Sequence, residues 1–183
     1  MSDRSSSTLH RRSPFAGLAL PGGEGLALIP APEATRLILR GDPATVAAFG
    51  LPVPERLKAT TTGARAALWL GPDETLLLAP GEDAAALQSV SISGPHSLVD
   101  VSHRQTGLVL TGRLAALCLS SGCPLDLRLT AFPVGMATRT LFHKAEIILW
   151  RQAEERFHIE VWRSFAPYLA GHLAEACAGT TGL

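Results

Sequence analysis

This chain of 183 residues has few cysteines, no excess of charge of either sign and no long apolar run. Its three cysteines, Cys118, Cys123 and Cys177, form no CxxC pair and leave one residue over, which argues against a disulfide framework and for a reducing compartment. Sixteen basic and sixteen acidic residues cancel, so no net field favours nucleic acid or anionic lipid. No run approaches the roughly 18 apolar residues of a membrane span, and the first apolar stretch is too short for an export signal. We therefore expect a cytoplasmic protein with neither nucleic-acid nor membrane partners.

Motifs for nucleotides, metals and nucleophilic catalysis are missing as well. Both lysines are followed by alanine, which excludes a P-loop, and the Gly-Gly-Glu-Gly stretch at 22–25 lacks the dinucleotide-binding spacing. The six histidines are scattered singly, so no set of metal ligands is expected. Asp100, Ser102 and His103 are close in sequence, but an extended backbone turns His103 to the opposite face. No catalytic, cofactor-binding or metal-binding residue is therefore predicted.

The chain is organised as a polar tail followed by two similar halves. Residues 1–13 are Ser-rich and without period, which predicts a mobile tail. Residues 14–183 are predicted to form a single domain whose halves span about 26–100 and 101–178. Each half has the order strand, helix, connector, hairpin and helix. This repetition predicts an α+β fold of two similar modules, although a chance likeness of two mixed stretches stays open.

Hydrophobic runs and turn residues predict the individual elements. In the first half these are a strand at 36–40, a helix from Asp42 to Gly50, a hairpin with arms at 66–70 and 75–79, and a helix at 82–88. In the second half they are a strand at 106–112, a helix at 113–119, a strand at 138–142, a hairpin with arms at 146–150 and 156–161, and a final helix. The Asp-Pro pair at 42–43 is a good helix start.

The last hairpin arm and the final helix indicate which faces are buried. Residues 156–161 alternate polar and apolar, which predicts one core face and one polar face. Ser164 is predicted to cap the final helix, whose apolar face begins at Phe165. The predicted core lies on the apolar faces of these elements and comprises Leu37, Leu39, Trp69, Leu77, Val109, Leu117, Ile148, Phe157, Ile159, Val161 and Leu173.

Two polar segments beside apolar strands are candidates for contact with a partner. They are DVSHRQTG at 100–107 and EVWRSFAPY at 160–168. Trp, Tyr and Arg are the residue types that most often anchor interfaces. The candidate interface residues are Ser102, His103, Arg104, Gln105, Trp162 and Arg163. Two alternatives stay open, since polar residues between strands can simply make a turn and a Trp before a helix can simply be core.

Six longer stretches occur in order and cover most of residues 14–174: SPFAGL, LWLGPDETLLLAP, LVDVSHRQTGLVLTG, CPLDL, AFPVGMATRTLFHKAEIILW and FHIEVWRSFAPYL. Together they resemble the signature stretches of the gamma subunits of heterotetrameric sarcosine oxidases. Several exceed eight residues, which makes the resemblance far more specific than a short catalytic motif.

The resemblance implies a complex that oxidises the methyl group of sarcosine and yields glycine, hydrogen peroxide and methylenetetrahydrofolate. It implies that the alpha, beta and delta subunits hold FMN, FAD, NAD, zinc and tetrahydrofolate, whereas gamma holds no cofactor and has a structural role in assembly. It also implies two ferredoxin-like modules, similar to the folate-binding domain of aminomethyltransferases. Because a fold does not carry function by itself, a stand-alone folate-binding or one-carbon-transfer protein is the alternative.

Overall fold

The structure is a computed structural model that describes residues 13–23 and 25–181. The predicted tail, apart from Ser13, lies outside these described residues. Within the described ranges, no helix has the length and apolar character needed to cross a bilayer.

Two short strands precede two similar series of elements. The short strands are β1 (Gly22–Gly23) and β2 (Leu26–Pro30). The first series comprises β3 (Ala34–Gly41), a 3-10 helix (Pro43–Phe49), β4 (Ala59–Thr62), β5 (Arg65–Gly71), β6 (Glu74–Pro80), a 3-10 turn (Gly81–Asp83), α1 (Ala84–Gln88) and β7 (His96–Asp100). The second comprises β8 (Gln105–Thr111), α2 (Ala115–Ser120), β9 (Ala137–Phe142), β10 (Ala145–Ala153), β11 (Arg156–Trp162), a 3-10 turn (Arg163–Phe165) and α3 (Ala166–Thr181).

The two series form separate antiparallel sheets with the same arrangement of strands. The first sheet has the order β4-β5-β6-β3-β7, and the second has the order β9-β10-β11-β8-β2-β1. In each sheet the first strand of the series lies between the last hairpin strand and one further strand, as in a ferredoxin-like module. The predicted α+β class and the duplicated module are confirmed.

The further strand comes from a different place in the chain in the two sheets. In the first sheet it is β7, which follows α1, whereas in the second it is β2, from the start of the described chain. Strand β2 pairs antiparallel with β8, for example at Leu28 and Leu110. Residues 26–30, which the sequence division grouped with the first half, therefore lie in the sheet of the second half.

The two sheets pack face to face, and helices cover both outer faces. Between the sheets, Ile38 and Leu76 of the first sheet share a buried cluster with Ile148 and Trp150 of the second. The 3-10 helix and α1 pack on the outer face of the first sheet, and α2 and α3 pack on the outer face of the second. Each sheet is therefore covered on both faces, and the domain has four layers in the order helices, first sheet, second sheet, helices.

The start and end of the first helix follow from its sequence. The Asp42 side chain accepts a hydrogen bond of 2.9 Å from the backbone N–H of Ala44, and Pro43 occupies the first turn. Gly50 ends the helix in the left-handed conformation, with a φ of 72°. The predicted boundaries are confirmed, although the helix is of the 3-10 type.

The predicted core is confirmed except at Trp69, which is half-buried, and Leu117, which is 51% exposed. The prediction that Leu117 belongs to the core was wrong. Helix α2 begins at Ala115, and the buried face of this helix is made of Ala115, Cys118 and Leu119. Leu117 lies on the opposite side of that short helix.

The predicted cap of the last helix was also wrong. Ser164 lies inside the 3-10 turn that precedes α3, and no side chain caps this turn. The N-cap position of the turn is Trp162, two residues before Ser164, and the backbone N–H of Arg163 donates to the carbonyl oxygen of Arg104 at 2.7 Å. This early turn leaves Phe165 exposed instead of starting a buried face.

Candidate subunit interface and the cleft beside it

The two predicted contact segments meet at one end of the second sheet. One forms the turn from β7 into β8, and the other is the end of β11 with the 3-10 turn after it. Because β8 and β11 are antiparallel neighbours, Gln105 lies directly opposite Trp162. The fold therefore brings all six candidate interface residues into one patch.

Backbone and side-chain hydrogen bonds hold the turn at residues 101–104 in place. The N–H groups of Arg104 and Gln105 both donate to the carbonyl oxygen of Val101 at 2.9 Å. The Ser102 hydroxyl accepts from the backbone N–H of Arg36 at 2.9 Å, which ties the turn to β3. The side-chain hydrogen bond with Ser102 lowers the pKa of Asp100. The expectation of an extended backbone here was wrong, because residues 101–104 form a turn. The side chains of Asp100 and Ser102 make hydrogen bonds that stabilise this turn.

The six candidates differ in what they present to solvent. Trp162 is 43% exposed, so the alternative that it is core was wrong, and the Arg104 guanidinium carbon lies 5.2 Å from the centre of its ring. His103 is exposed as well, whereas Ser102 and Arg163 are half-buried and Gln105 is buried. The stacked pair of Arg104 and Trp162, together with His103, is thus the exposed part of the patch that a partner could contact.

A cleft of about 320 Å³ opens beside this pair, between the two sheets. Apolar side chains lie among its lining residues, including Val99, which is 50% exposed. Its charged lining residues are Arg40, Glu74, Arg104, Arg139, Glu146 and Glu160. Within the part of the chain described, no group of three or more His, Cys, Asp and Glu side chains could hold a metal ion.

Glu74 joins the two sheets at this cleft. It lies at the start of β6 in the first sheet and accepts from Arg40 of the same sheet at 2.7 Å. It also forms an ion pair with Arg139, which lies on β9 of the second sheet. The hydrogen bond from Arg139 holds the pKa of Glu74 below its usual range.

A second and more deeply buried ion pair also joins the sheets. Arg36 of β3 donates to Glu160 of β11 through Nε at 2.6 Å and through Nη2 at 3.0 Å. His158 Nε2 lies 2.7 Å from the same carboxylate, and all three residues are buried. Burial raises the pKa of Glu160, but the hydrogen bond with His158 and the charge of Arg36 outweigh it, so the pKa is lowered. The expectation of a single core face on β11 was wrong, because the first sheet covers its polar face.

Gly107 provides the space that the buried ion pair occupies. A Cβ atom at this position would lie 2.8 Å from Glu160 Oε1 and 3.1 Å from Arg36 Nη2. The sequence analysis missed Arg36, Glu74, Arg139 and Glu160 as a group. The one local signal was a glycine inside a strand, since such a glycine often marks a close approach by another group.

The two carboxylates predict that the protein loses stability in acid. Glu74 and Glu160 have lowered pKa values in the folded state. Their contribution to the free energy of unfolding is therefore fully present above the usual carboxyl pKa and is lost as the pH falls through the lowered values. We expect the free energy of unfolding to fall as the pH drops below 4.5, the ordinary value for glutamate. Urea titrations between neutral pH and pH 3 would measure this. The Glu74→Gln variant should show a shallower decline, and an unchanged slope would contradict the assignment.

Comparisons with known proteins place this architecture in a defined family. Residues 40–179 match the model of the sarcosine oxidase gamma subunit family. The chain is 35% identical over 129 residues to the sarcosine oxidase subunit gamma of Corynebacterium sp. strain P-1, which covers 69% of this chain and 64% of that relative. It is also similar to a chain in the heterotetrameric sarcosine oxidase of Corynebacterium sp. U-96 in complex with pyrrole 2-carboxylate. That match has 32% identity and a TM-score of 0.83, and it covers 93% of this chain and 96% of that one.

A more distant structure shares the fold. The glycine cleavage system aminomethyltransferase T of Bartonella henselae matches with 15% identity and a TM-score of 0.64, over 82% of this chain and 45% of that one. Taken together, the comparisons favour a gamma subunit over the stand-alone folate-binding protein that the sequence left open.

Proposed function

Because the chain belongs to the sarcosine oxidase gamma subunit family, we propose that it is a non-catalytic subunit that supports assembly of a heterotetrameric sarcosine oxidase. The partners in this proposal are alpha, beta and delta subunits, and the compartment is the cytoplasm. The complex would oxidatively demethylate sarcosine to glycine, with formation of hydrogen peroxide and 5,10-methylenetetrahydrofolate. FMN, FAD, NAD, zinc and tetrahydrofolate would be held by the partner subunits and none by this chain.

The stacked pair of Arg104 and Trp162 is the observation that carries the assembly role. The Arg104 guanidinium lies over the Trp162 ring, and among the described residues it has no carboxylate within ion-pair distance, although its charge helps to lower the pKa of Glu74. An Arg side chain that stacks on an exposed Trp presents both an apolar ring surface and hydrogen-bond donors to a partner. Such a pair loses little side-chain freedom on docking, so it suits the centre of an interface.

Truncation of this pair is expected to weaken assembly. Arg104→Ala and Trp162→Ala should each cost about 2 kcal/mol of association free energy, or roughly 30-fold in affinity. The four subunits would be co-expressed with each variant, and the recovery of complete complexes would be measured by native mass spectrometry. Arg128→Ala is the matched control, because Arg128 is exposed and pairs only with its neighbour Asp126 among the described residues.

Turnover separates an assembly role from a chemical one. Complexes that still form with Arg104→Ala should keep their turnover per flavin, because an anchor away from the flavin supplies binding and not transition-state stabilisation. If this variant assembles normally and is stable but has lost turnover, the chain takes part in the reaction and the proposed role is wrong.

A further inference from the structure

We infer that Cys118 and Cys177 form a site of reversible oxidation, at which a disulfide bond cross-links α2 to α3. The two sulfur atoms lie 3.0 Å apart although the residues are separated by 59 positions in the chain. This inference is independent of the proposed assembly role, since both cysteines lie in the helical layer and not at the patch around Trp162.

Packing of the two helices sets the approach of the sulfur atoms. Cys118 lies on the buried face of α2, and Cys177 lies on the buried face of α3, one turn after Leu173. Their separation is shorter than the roughly 3.5–4.0 Å at which two carbon atoms make their best contact. A disulfide needs about 2.05 Å between the sulfurs, so an approach of about 1 Å completes the bond.

The third cysteine is directed elsewhere, which makes the pair specific. Cys123 Sγ lies 3.8 Å from the hydroxyl oxygen of Thr140 on β9. It is buried in the same cluster as the other two cysteines, so it serves as an internal reference for thiol reactivity. Sequence spacing alone leaves the choice of partners open.

The two thiols are not equivalent. The hydrogen bond between the two sulfur atoms raises the pKa of Cys118 and lowers the pKa of Cys177. Cys177 also lies close to the end of α3 at Thr181, where a helix opens more readily, so its sulfur meets the oxidant first and is the attacking sulfur.

A peroxide is the oxidant class that this arrangement suits. The Cys177 thiolate attacks one oxygen of hydrogen peroxide, the O–O bond breaks, and hydroxide leaves as the sulfur becomes a sulfenic acid. The Cys118 sulfur then attacks the Cys177 sulfur and expels its hydroxyl group, and the Cys118 proton leaves with it as water. In total, two thiols and one peroxide give one disulfide and two water molecules, with two electrons passed to the peroxide.

Burial sets the rate of this step. Cys118 and Cys177 are both buried, so the oxidant reaches them when the end of α3 opens. Cys177 lies near the end of α3 at Thr181, and the last turns of helices open more readily than their centres. We therefore expect slow but complete cross-linking, with Cys177 oxidised before Cys118.

The test uses the full chain under native conditions. Protein reduced beforehand would be treated with hydrogen peroxide, blocked with N-ethylmaleimide and digested for mass spectrometry. We expect a peptide pair joined through Cys118 and Cys177, an intact mass lower by two hydrogens, and reversal by dithiothreitol. The cross-link should also raise the melting temperature by about 5–10 °C, because it closes a long loop.

Single variants make the result specific. Cys123→Ser should leave the cross-link unchanged, whereas Cys118→Ser should leave a Cys177 sulfenic acid that dimedone traps. A wild-type chain that keeps both thiols under peroxide, and also under diamide, would overturn the inference even if the variants failed to fold. A cross-link through Cys123, or oxidation to sulfinic acid with no cross-link, would overturn it as well.

Discussion

Glu160→Gln is expected to lower the free energy of unfolding by about 3–5 kcal/mol, the largest loss we expect from a conservative change in this chain. The neutral amide leaves the buried Arg36 guanidinium without a counter-charge, and the Arg36 side chain is only 6% exposed. His158 loses its carboxylate partner in the same change. Urea unfolding followed by tryptophan fluorescence would measure the loss.

Two further variants show whether the loss comes from an uncompensated buried charge. The double replacement Arg36→Met with Glu160→Leu removes both charges and should recover most of the stability, because an apolar pair avoids the desolvation cost. Glu55→Gln is the matched control, since Glu55 pairs with Lys58 on the surface and should cost less than about 1 kcal/mol. If Glu160→Gln costs no more than Glu55→Gln, the ion pair does not hold the sheets together.

Gly107→Ala is expected to cost about 3 kcal/mol although it adds a single methyl group. The new Cβ would lie 2.8 Å from both Ala31 Cβ, just after β2, and Glu160 Oε1, so the backbone of β8 or these neighbours must shift. The free energy of unfolding from urea titration would report this loss, and so would a change in the environment of the nearby tryptophans.

A second glycine-to-alanine change provides the matched control with the opposite sign. Gly171 lies inside α3, and a Cβ there would meet nothing within 4 Å. Gly171→Ala should therefore stabilise the protein by about 0.5–1 kcal/mol through better helix propensity. If both variants change stability in the same direction, the close approach at Gly107 has no energetic consequence.

The two changes in the ion-pair region test one idea about the fold. Arg36 and Glu160 lie on different sheets, and Glu74 and Arg139 repeat this arrangement at the cleft. When the two members of an ion pair lie on different sheets, any other packing of the sheets leaves a charge buried without its partner and is therefore less stable. Our hypothesis is that the polar pairs set how one half packs on the other, while the apolar cluster around Ile38 and Trp150 supplies most of the stability.

Local pattern was sufficient to predict the longer elements and their repetition, whereas β1, β2 and β4 were not predicted. The strand at 36–40, the helix start at Asp42 and the hairpin around 71–74 depend on near neighbours, and all three are present. The same holds for the duplicated module, because each half carries its own turns and hydrophobic runs. The contact segments at 100–107 and 160–168 were recognisable by composition. Their contact with a partner stays a prediction.

Tertiary structure alone decided what covers each face. The alternation at 156–161 shows that β11 has two different faces, but a period of two residues cannot tell solvent from a second sheet that carries its own charged side chains. For that reason Glu160 was expected at the surface and is fully buried, while Leu117 was expected in the core and is exposed. The approach of Cys118 to Cys177 is likewise set by helix packing across 59 positions. By itself the sequence determined the longer elements and their duplication. The packing of one half on the other determined which polar groups are buried, because burial depends on contacts between residues far apart in the chain.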